Sequence, residues 1–248
     1  MEAESTFGEV YDLVRDLRVR CDWDRAQTPL SLRPYLREEV AELEEALVEG
    51  DEAKIASELG DLLLHFIFQV DLAEDRGAFT LADVTKLLVG KMKRRHPHLY
   101  GGGAAAAWEI TKIRERRSQA PGDSAPSILG HLPPTLTELE KAYRYQERAA
   151  AVGFDWDDLA GPLDKLEEEV RETRAQPREE IGDVLFAAVN VARKAGVHPT
   201  AALEAATNKF VMRFREVERL AAQRGIAVET AGLAVLDRLW DEVKEMNE

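Results

Sequence analysis

The 248-residue chain repeats four blocks in the same order. Asp22-Trp23-Asp24 returns as Asp155-Trp156-Asp157. Glu38-Glu39-Val40-Ala41-Glu42 returns as Glu168-Glu169-Val170-Arg171-Glu172. Glu58-Leu59-Gly60-Asp61-Leu62-Leu63 returns as Glu180-Ile181-Gly182-Asp183-Val184-Leu185, and Lys91 with Arg95 returns as Lys209 with Arg213. The distance between paired blocks shortens gradually along the chain, the pattern left by an internal duplication whose turns have lost residues. Two copies are too few to stack as a solenoid, so each must close its core by pairing with something.

Each copy reads as helix. Ala, Leu, Glu, Arg and Lys dominate, and apolar residues recur at three- and four-residue spacing. From Ser31 to Glu49, Leu32, Leu36, Val40, Leu43 and Leu47 form one stripe. A second helix is predicted from Asp51 to about Glu74, with Gly50 suited to a C-cap and Asp51 to an N-cap, so that the two helices make an antiparallel hairpin. A third begins near Thr80, with Asp83 three residues on, and stops at Pro97. Residues 101–107 (GGGAAAA) are low in complexity, Trp108 to Arg117 reads as a short basic helix, and the Pro-, Gly- and Ser-rich run from Ser118 reads as a linker. The expected domains are 1–117, a linker 118–133 and 134–248, the last with an amphipathic helix after Thr230.

Composition removes several function classes. Lys plus Arg number 33 against 47 Asp plus Glu, a net charge of −14, which argues against a surface that coats a nucleic-acid polymer. A single cysteine, Cys21, excludes an internal disulfide framework and a Cys-rich zinc site. The apolar run Leu62 to Val70 is too short to span a bilayer, and MEAESTFGEV lacks a basic stretch followed by an apolar one. The expectation is a cytoplasmic protein that enters no membrane.

The carboxylates carry the chemistry. Glu39 and Glu42, three apart, share a helix face, as do Glu58 and Asp61 on the next helix. Both pairs lie about eight residues from Gly50, so at about 1.5 Å rise per residue they meet at one height, roughly 12 Å from the turn. Like charges facing across a hairpin repel unless a cation lies between them. Oxygen-only donors suit Mg²⁺ or Mn²⁺. In the second copy the turn is shorter, since Glu172 and Glu180 are eight apart where Glu42 and Glu58 are sixteen apart, yet a turn at Gln176-Pro177 still sets the pairs opposite each other.

Lys91 with Arg95, and Lys209 with Arg213, share helix faces and follow each carboxylate hairpin by about thirty residues. Guanidinium and ammonium groups beside a metal are what a polyphosphate requires; positive charge at a helix C-terminus is the competing reading. Trp23 and Trp156 suit either a nucleobase stack or a buried anchor, and Gln27 and Thr28 either base edges or a cap. His65, four after Asp61, suits a core histidine better than a ligand. The chain has no Glu-x-x-His di-iron pattern, Walker loop, dinucleotide fingerprint or nucleophile elbow.

The ordered set resembles the MazG family of nucleoside triphosphate pyrophosphohydrolases in its two-copy bacterial form. The matching runs include CDWDRAQTPLSLRPYLREEVAELEEAL, SELGDLLLHFIFQVDLAEDRGAFTLADV and KMKRRHPHLYG, then GFDWDD, EEEVRE, EEIGDVLFAAVNVARKAGV and ATNKFVMRF, and the closing LWDEVKE. The resemblance implies an all-α fold of two tandem helical-hairpin domains of four-helix-bundle type. It also implies Mg²⁺ dependence and hydrolysis of nucleoside triphosphates to monophosphate and pyrophosphate. Its metal motif falls on Glu39, Glu42, Glu58 and Asp61, and again on Glu169, Glu172, Glu180 and Asp183. Glu38 and Glu168 become candidates to orient water; Lys91, Arg95, Asn208, Lys209 and Arg213 become candidates to hold the substrate. Competing expectations are a non-enzymatic nucleotide- or partner-binding regulator with vestigial metal sites, and a narrow-substrate pyrophosphohydrolase. Wide apolar helix stripes predict a homodimer.

Overall fold

A computed structural model describes residues 6–101, 108–118 and 127–246. Among these residues all regular structure is helical, in two compact units, Met1–Ala104 and Ala105–Glu248.

The first unit contains α1 (Phe7–Arg20), α2 (Asp22–Ala26), α3 (Arg33–Glu49), α4 (Glu52–Asp75), α5 (Leu81–Arg95) and the short α6 (Pro97–Tyr100). Gly50 ends α3 in the left-handed region at φ 70°, where a side chain would be strained, and the Asp51 carboxylate accepts from the Ala53 and Lys54 amides. These two residues fold α3 back along α4. α1 lies against α4, and Val14, Leu32, Ile67, Phe68 and Leu72 form the core between them. One buried carboxylate ties the same helices: Asp71 pairs with Arg18 and with Arg15, while Arg18 reaches on to Asp75 at 2.7 Å. Glu74 accepts from Tyr11 Oη at 2.6 Å and from the Leu81 amide at 3.0 Å, which fixes the start of α5. Thr80 and Asp83 make the expected capping box. α5 buries none of its side chains fully, and Leu87 and Leu88 are exposed.

The second unit contains α7 (Trp108–Ser118), α8 (Glu138–Ala150), α9 (Ala160–Thr173), α10 (Pro177–Lys194), α11 (Pro199–Gln223) and α12 (Leu233–Met246). α9 and α10 form the second hairpin, with Pro177 at the first position of α10, where its missing amide costs nothing. α8 and α11 pack on α10, and α12 packs on α11 through Val217, Leu220, Ala221, Leu239 and Val243.

The basic helix α7 lies in this second unit, although its place in the sequence groups it with the first half. Long-range ion pairing accounts for that: the Glu109 carboxylate lies between Lys112 at 2.6 Å and Arg144 of α8 at 3.1 Å. Much of the Pro- and Ser-rich run, residues 119–126, falls outside the described residues, as do 102–107 of the low-complexity stretch. From residue 127 the chain is docked. Leu132 is buried, and the buried Arg148 donates to the Leu129 and His131 carbonyls.

Candidate metal centre

The α3–α4 hairpin brings carboxylate oxygens of Glu39, Glu58 and Asp61 within 4.8 Å of one another. The α9–α10 hairpin does the same for Glu169, Glu172 and Glu180. Each trio draws on both helices of its hairpin, as expected where two Glu-x-x-acid pairs face each other at matched height.

The trios are not the same selection from the motif. In the first copy the fourth carboxylate, Glu42, is exposed and adds its charge to Glu58. In the second, the fourth is Asp183, which is exposed and adds its charge to Glu180. The turn accounts for the shift. With eight fewer residues between the pairs, Glu180 falls in the first turn of α10, beside its amide-rich end.

Repulsion within the trios is visible in their acidities. Burial, followed by the charges of Asp61, Glu42 and Glu58, pushes the Glu39 carboxyl above its ordinary range. Burial, Glu42 and Asp61 do the same to Glu58. Burial, Glu172, Asp183 and Glu169 do so to Glu180. Three convergent oxygen donors whose charge is incompletely offset form the donor set that a hard divalent cation matches.

The neighbours of the two trios differ. His65 is 8% exposed, its Nε2 lies 3.9 Å from Glu39 Oε1, and among the described residues its buried Nδ1 has no hydrogen-bond partner. In the second copy the matching residue is Ala187. There Lys165 enters instead, with Nζ 2.6 Å from Glu169 Oε1 and 2.9 Å from Glu168 Oε1. Among the described residues no lysine or arginine ion-pairs with Glu39, Glu58 or Asp61. Sequence reasoning passed over Lys165. The available signal was its place four residues before Glu169, on the same helical face.

The remaining sequence candidates take varied positions. Glu38 is exposed, and Glu168 is engaged by Lys165. Lys91 and Arg95 lie half-buried near the end of α5; Asn208 and Lys209 are exposed on α11, and Arg213 is half-buried there. Among the described residues no ion pair joins Lys91, Lys209 or Arg213 to either trio. Trp23 is half-exposed and meets Tyr35 edge-on at 5.8 Å. Gln27 donates to the Trp23 carbonyl at 2.8 Å, and Thr28 exchanges hydrogen bonds with Ser31, so both act as local caps. Trp156 is 43% exposed, and its indole lies so close over Gly161 that a Cβ there would overlap the ring. Asp155 anchors this loop through Arg193 at 2.5 Å and Lys194 at 3.3 Å, contacts that hold its carboxyl below the usual range, with the Arg193 hydrogen bond as the largest cause.

Residues 27–100, which span the first trio, match the family model described as the MazG nucleotide pyrophosphohydrolase domain. Over 253 residues the chain is 41% identical to the nucleoside triphosphate pyrophosphohydrolase/pyrophosphatase MazG of Thermotoga maritima, covering 98% of this chain and 97% of that one. This chain belongs to the MazG family. A second member, the nucleoside triphosphate pyrophosphohydrolase of Escherichia coli K12, is 37% identical over 248 residues, covering 93% of each chain. A third relative, YabN of Bacillus subtilis, is 38% identical over 257 residues, covering 96% of this chain and 52% of its own length. MazG membership extends across both hairpins, because the first two alignments run nearly end to end.

Proposed function

We propose that this chain hydrolyses nucleoside triphosphates to the monophosphate and pyrophosphate, using Mg²⁺ held by its two carboxylate trios, with Mn²⁺ as a substitute. The observation that carries this reading is the convergence of Glu39, Glu58 and Asp61 within 4.8 Å, repeated by Glu169, Glu172 and Glu180. It is supported by near full-length likeness to proteins named for that activity. Glu42 and Asp183 complete the two donor sets. When bound, the metal supplies Lewis acidity toward a phosphoryl oxygen and lowers the pKa of coordinated water.

The chain's own residues do the rest. Glu38 and Glu168, each beside a trio, orient the attacking water and accept its proton. Lys91 and Arg95, with Lys209, Arg213 and Asn208 in the second copy, meet the pyrophosphate oxygens and offset the charge that grows on them. Trp23 and Trp156 offer half-exposed ring faces to the base.

The working form is a homodimer in the cytoplasm. Leu87 and Leu88 of α5 are exposed, and in the second unit an open apolar groove of about 580 Å³ is lined by Leu139, Tyr145, Leu185, Phe186 and Leu203. A second copy of the chain suits such surfaces. Among the described residues no helix is long and apolar enough to cross a membrane.

The test is to incubate the chain with ATP and Mg²⁺ and separate the products by ion exchange. AMP and pyrophosphate are expected in equal amounts. ADP with orthophosphate as the main products overturns the reading.

A further inference from the structure

We propose that Lys165 is a resident cation of the second trio that competes with a divalent ion there, so that this chain fills its first metal site before its second. The inference rests on the metal reading above and adds an order of loading to it.

The contact is built into one helical turn. Lys165 lies four residues before Glu169 on α9, so both side chains project from one face. Its ammonium lies 2.6 Å from Glu169 Oε1 and 2.9 Å from Glu168 Oε1. Glu169 is the most buried member of its trio, at 6% exposure, so its charge is the one least screened by water. An ion entering the trio shares the Glu169 carboxylate with the ammonium. Binding there therefore weakens or displaces an ion pair, and the competing charge lies beside the incoming one.

In the first trio the lysine four residues before Glu58, Lys54, acts on that carboxylate through space, but its ammonium is held by Glu49 at 2.6 Å, and among the described residues it forms no ion pair with the trio. Tyr35 occupies the matching place four residues before Glu39, and its ring packs edge-on against Trp23 at 5.8 Å. Among the described residues the imidazole of His65 lies beside this trio, with Nε2 3.9 Å from Glu39 Oε1. Among the described residues Glu39, Glu58 and Asp61 thus present three carboxylates with no ammonium in ion-pair contact with them. The second trio presents three with one already neutralised, so the attraction for a divalent ion is weaker.

The test is a titration of the full chain with Mn²⁺, without nucleotide, reading free ion by electron paramagnetic resonance. Two classes of site are expected, separated by roughly five- to tenfold in Kd, the range that a partly exposed double ion pair supports. Glu39→Gln with Glu58→Gln should delete the tighter class, and Glu169→Gln with Glu180→Gln the weaker one. Lys165→Met should tighten the weaker class by about the same factor and leave the tighter class in place. Lys165→Gln repeats the test with a polar side chain, and Lys165→Arg keeps the separation. Equal affinities in the wild type overturn the proposal, as does a tighter class that maps to the second trio or a weaker class unmoved by either neutral variant. In those cases pyrophosphate release with Mg²⁺ would leave the proposed activity standing. Absence of bound Mn²⁺ from every form would overturn the metal reading and the loading order together.

Discussion

The α3–α4 and α9–α10 hairpins carry the same acidic motif but gather different oxygens from it. The first joins one carboxylate of α3 to two of α4; the second joins two of α9 to one of α10. Beside the first lies a buried histidine, and against Glu169 of the second lies an ammonium. Spacing along a helix decides which residues share a face. Turn length and the side chain one turn earlier decide which of them meet and what meets them. A duplicated motif is therefore not a duplicated site.

The largest expected effect comes from removing both trios. The combination Glu39→Gln, Glu58→Gln, Glu169→Gln and Glu180→Gln should lower Mg²⁺-dependent pyrophosphate release by roughly 10³-fold, measured by a coupled phosphate assay. The two double variants apportion the activity between the hairpins. Equal losses from each would erase the functional difference drawn between them.

Core substitutions rank next. Ile67, fully buried between α1 and α4, and Leu239, 2% exposed against α11, anchor the cores of the two units. Each change to Ala should cost about 2–5 kcal/mol in urea denaturation. A loss under about 1 kcal/mol at either position would show that its unit is held together elsewhere.

Gly161→Ala separates the two tryptophans. The added methyl overlaps the Trp156 indole and should expel it, at about 1–3 kcal/mol of stability and with a red-shifted tryptophan emission. Ser31→Ala, at the corresponding place in the first copy, should leave the emission in place.

The smallest effect is in pH dependence. Glu39 and Glu58 ionise near 4.5 when unfolded and at higher pH when folded, because burial and mutual charge favour the protonated form. Stability present below that pH is therefore lost as pH rises through the raised folded values. The metal-free wild type should lose melting temperature relative to Glu39→Gln/Glu58→Gln as pH rises from about 4.5 toward neutral. Mg²⁺ at neutral pH should reverse that loss. Glu180→Gln should show a difference of the same sign, because burial and the charges of Glu172 and Asp183 raise that carboxyl as well. Scanning calorimetry with and without chelator reads both.

Much of the fold was legible because its signals are local. Gly50 with Asp51 marks the first hairpin turn, Thr80 with Asp83 the start of α5, and Gln176-Pro177 the second turn. The approach of the carboxylates followed from counting outward from those turns. What escaped depends on distant partners. α7 joins the second unit through Glu109 and Arg144, thirty-five residues apart. Part of a composition that reads as linker is docked by the buried Arg148. Lys165 went unread because its counterpart is an aromatic residue, so comparing the two copies did not expose it.

The central claim is that carboxylates of neighbouring helices cage a divalent ion in each copy. An anomalous difference map from crystals grown with Mn²⁺ and a non-hydrolysable triphosphate tests it most directly. The account predicts a peak among Glu39, Glu58 and Asp61 and, at high Mn²⁺, another among Glu169, Glu172 and Glu180, each shared with phosphate oxygens. Ordered nucleotide with neither trio holding a peak would contradict it.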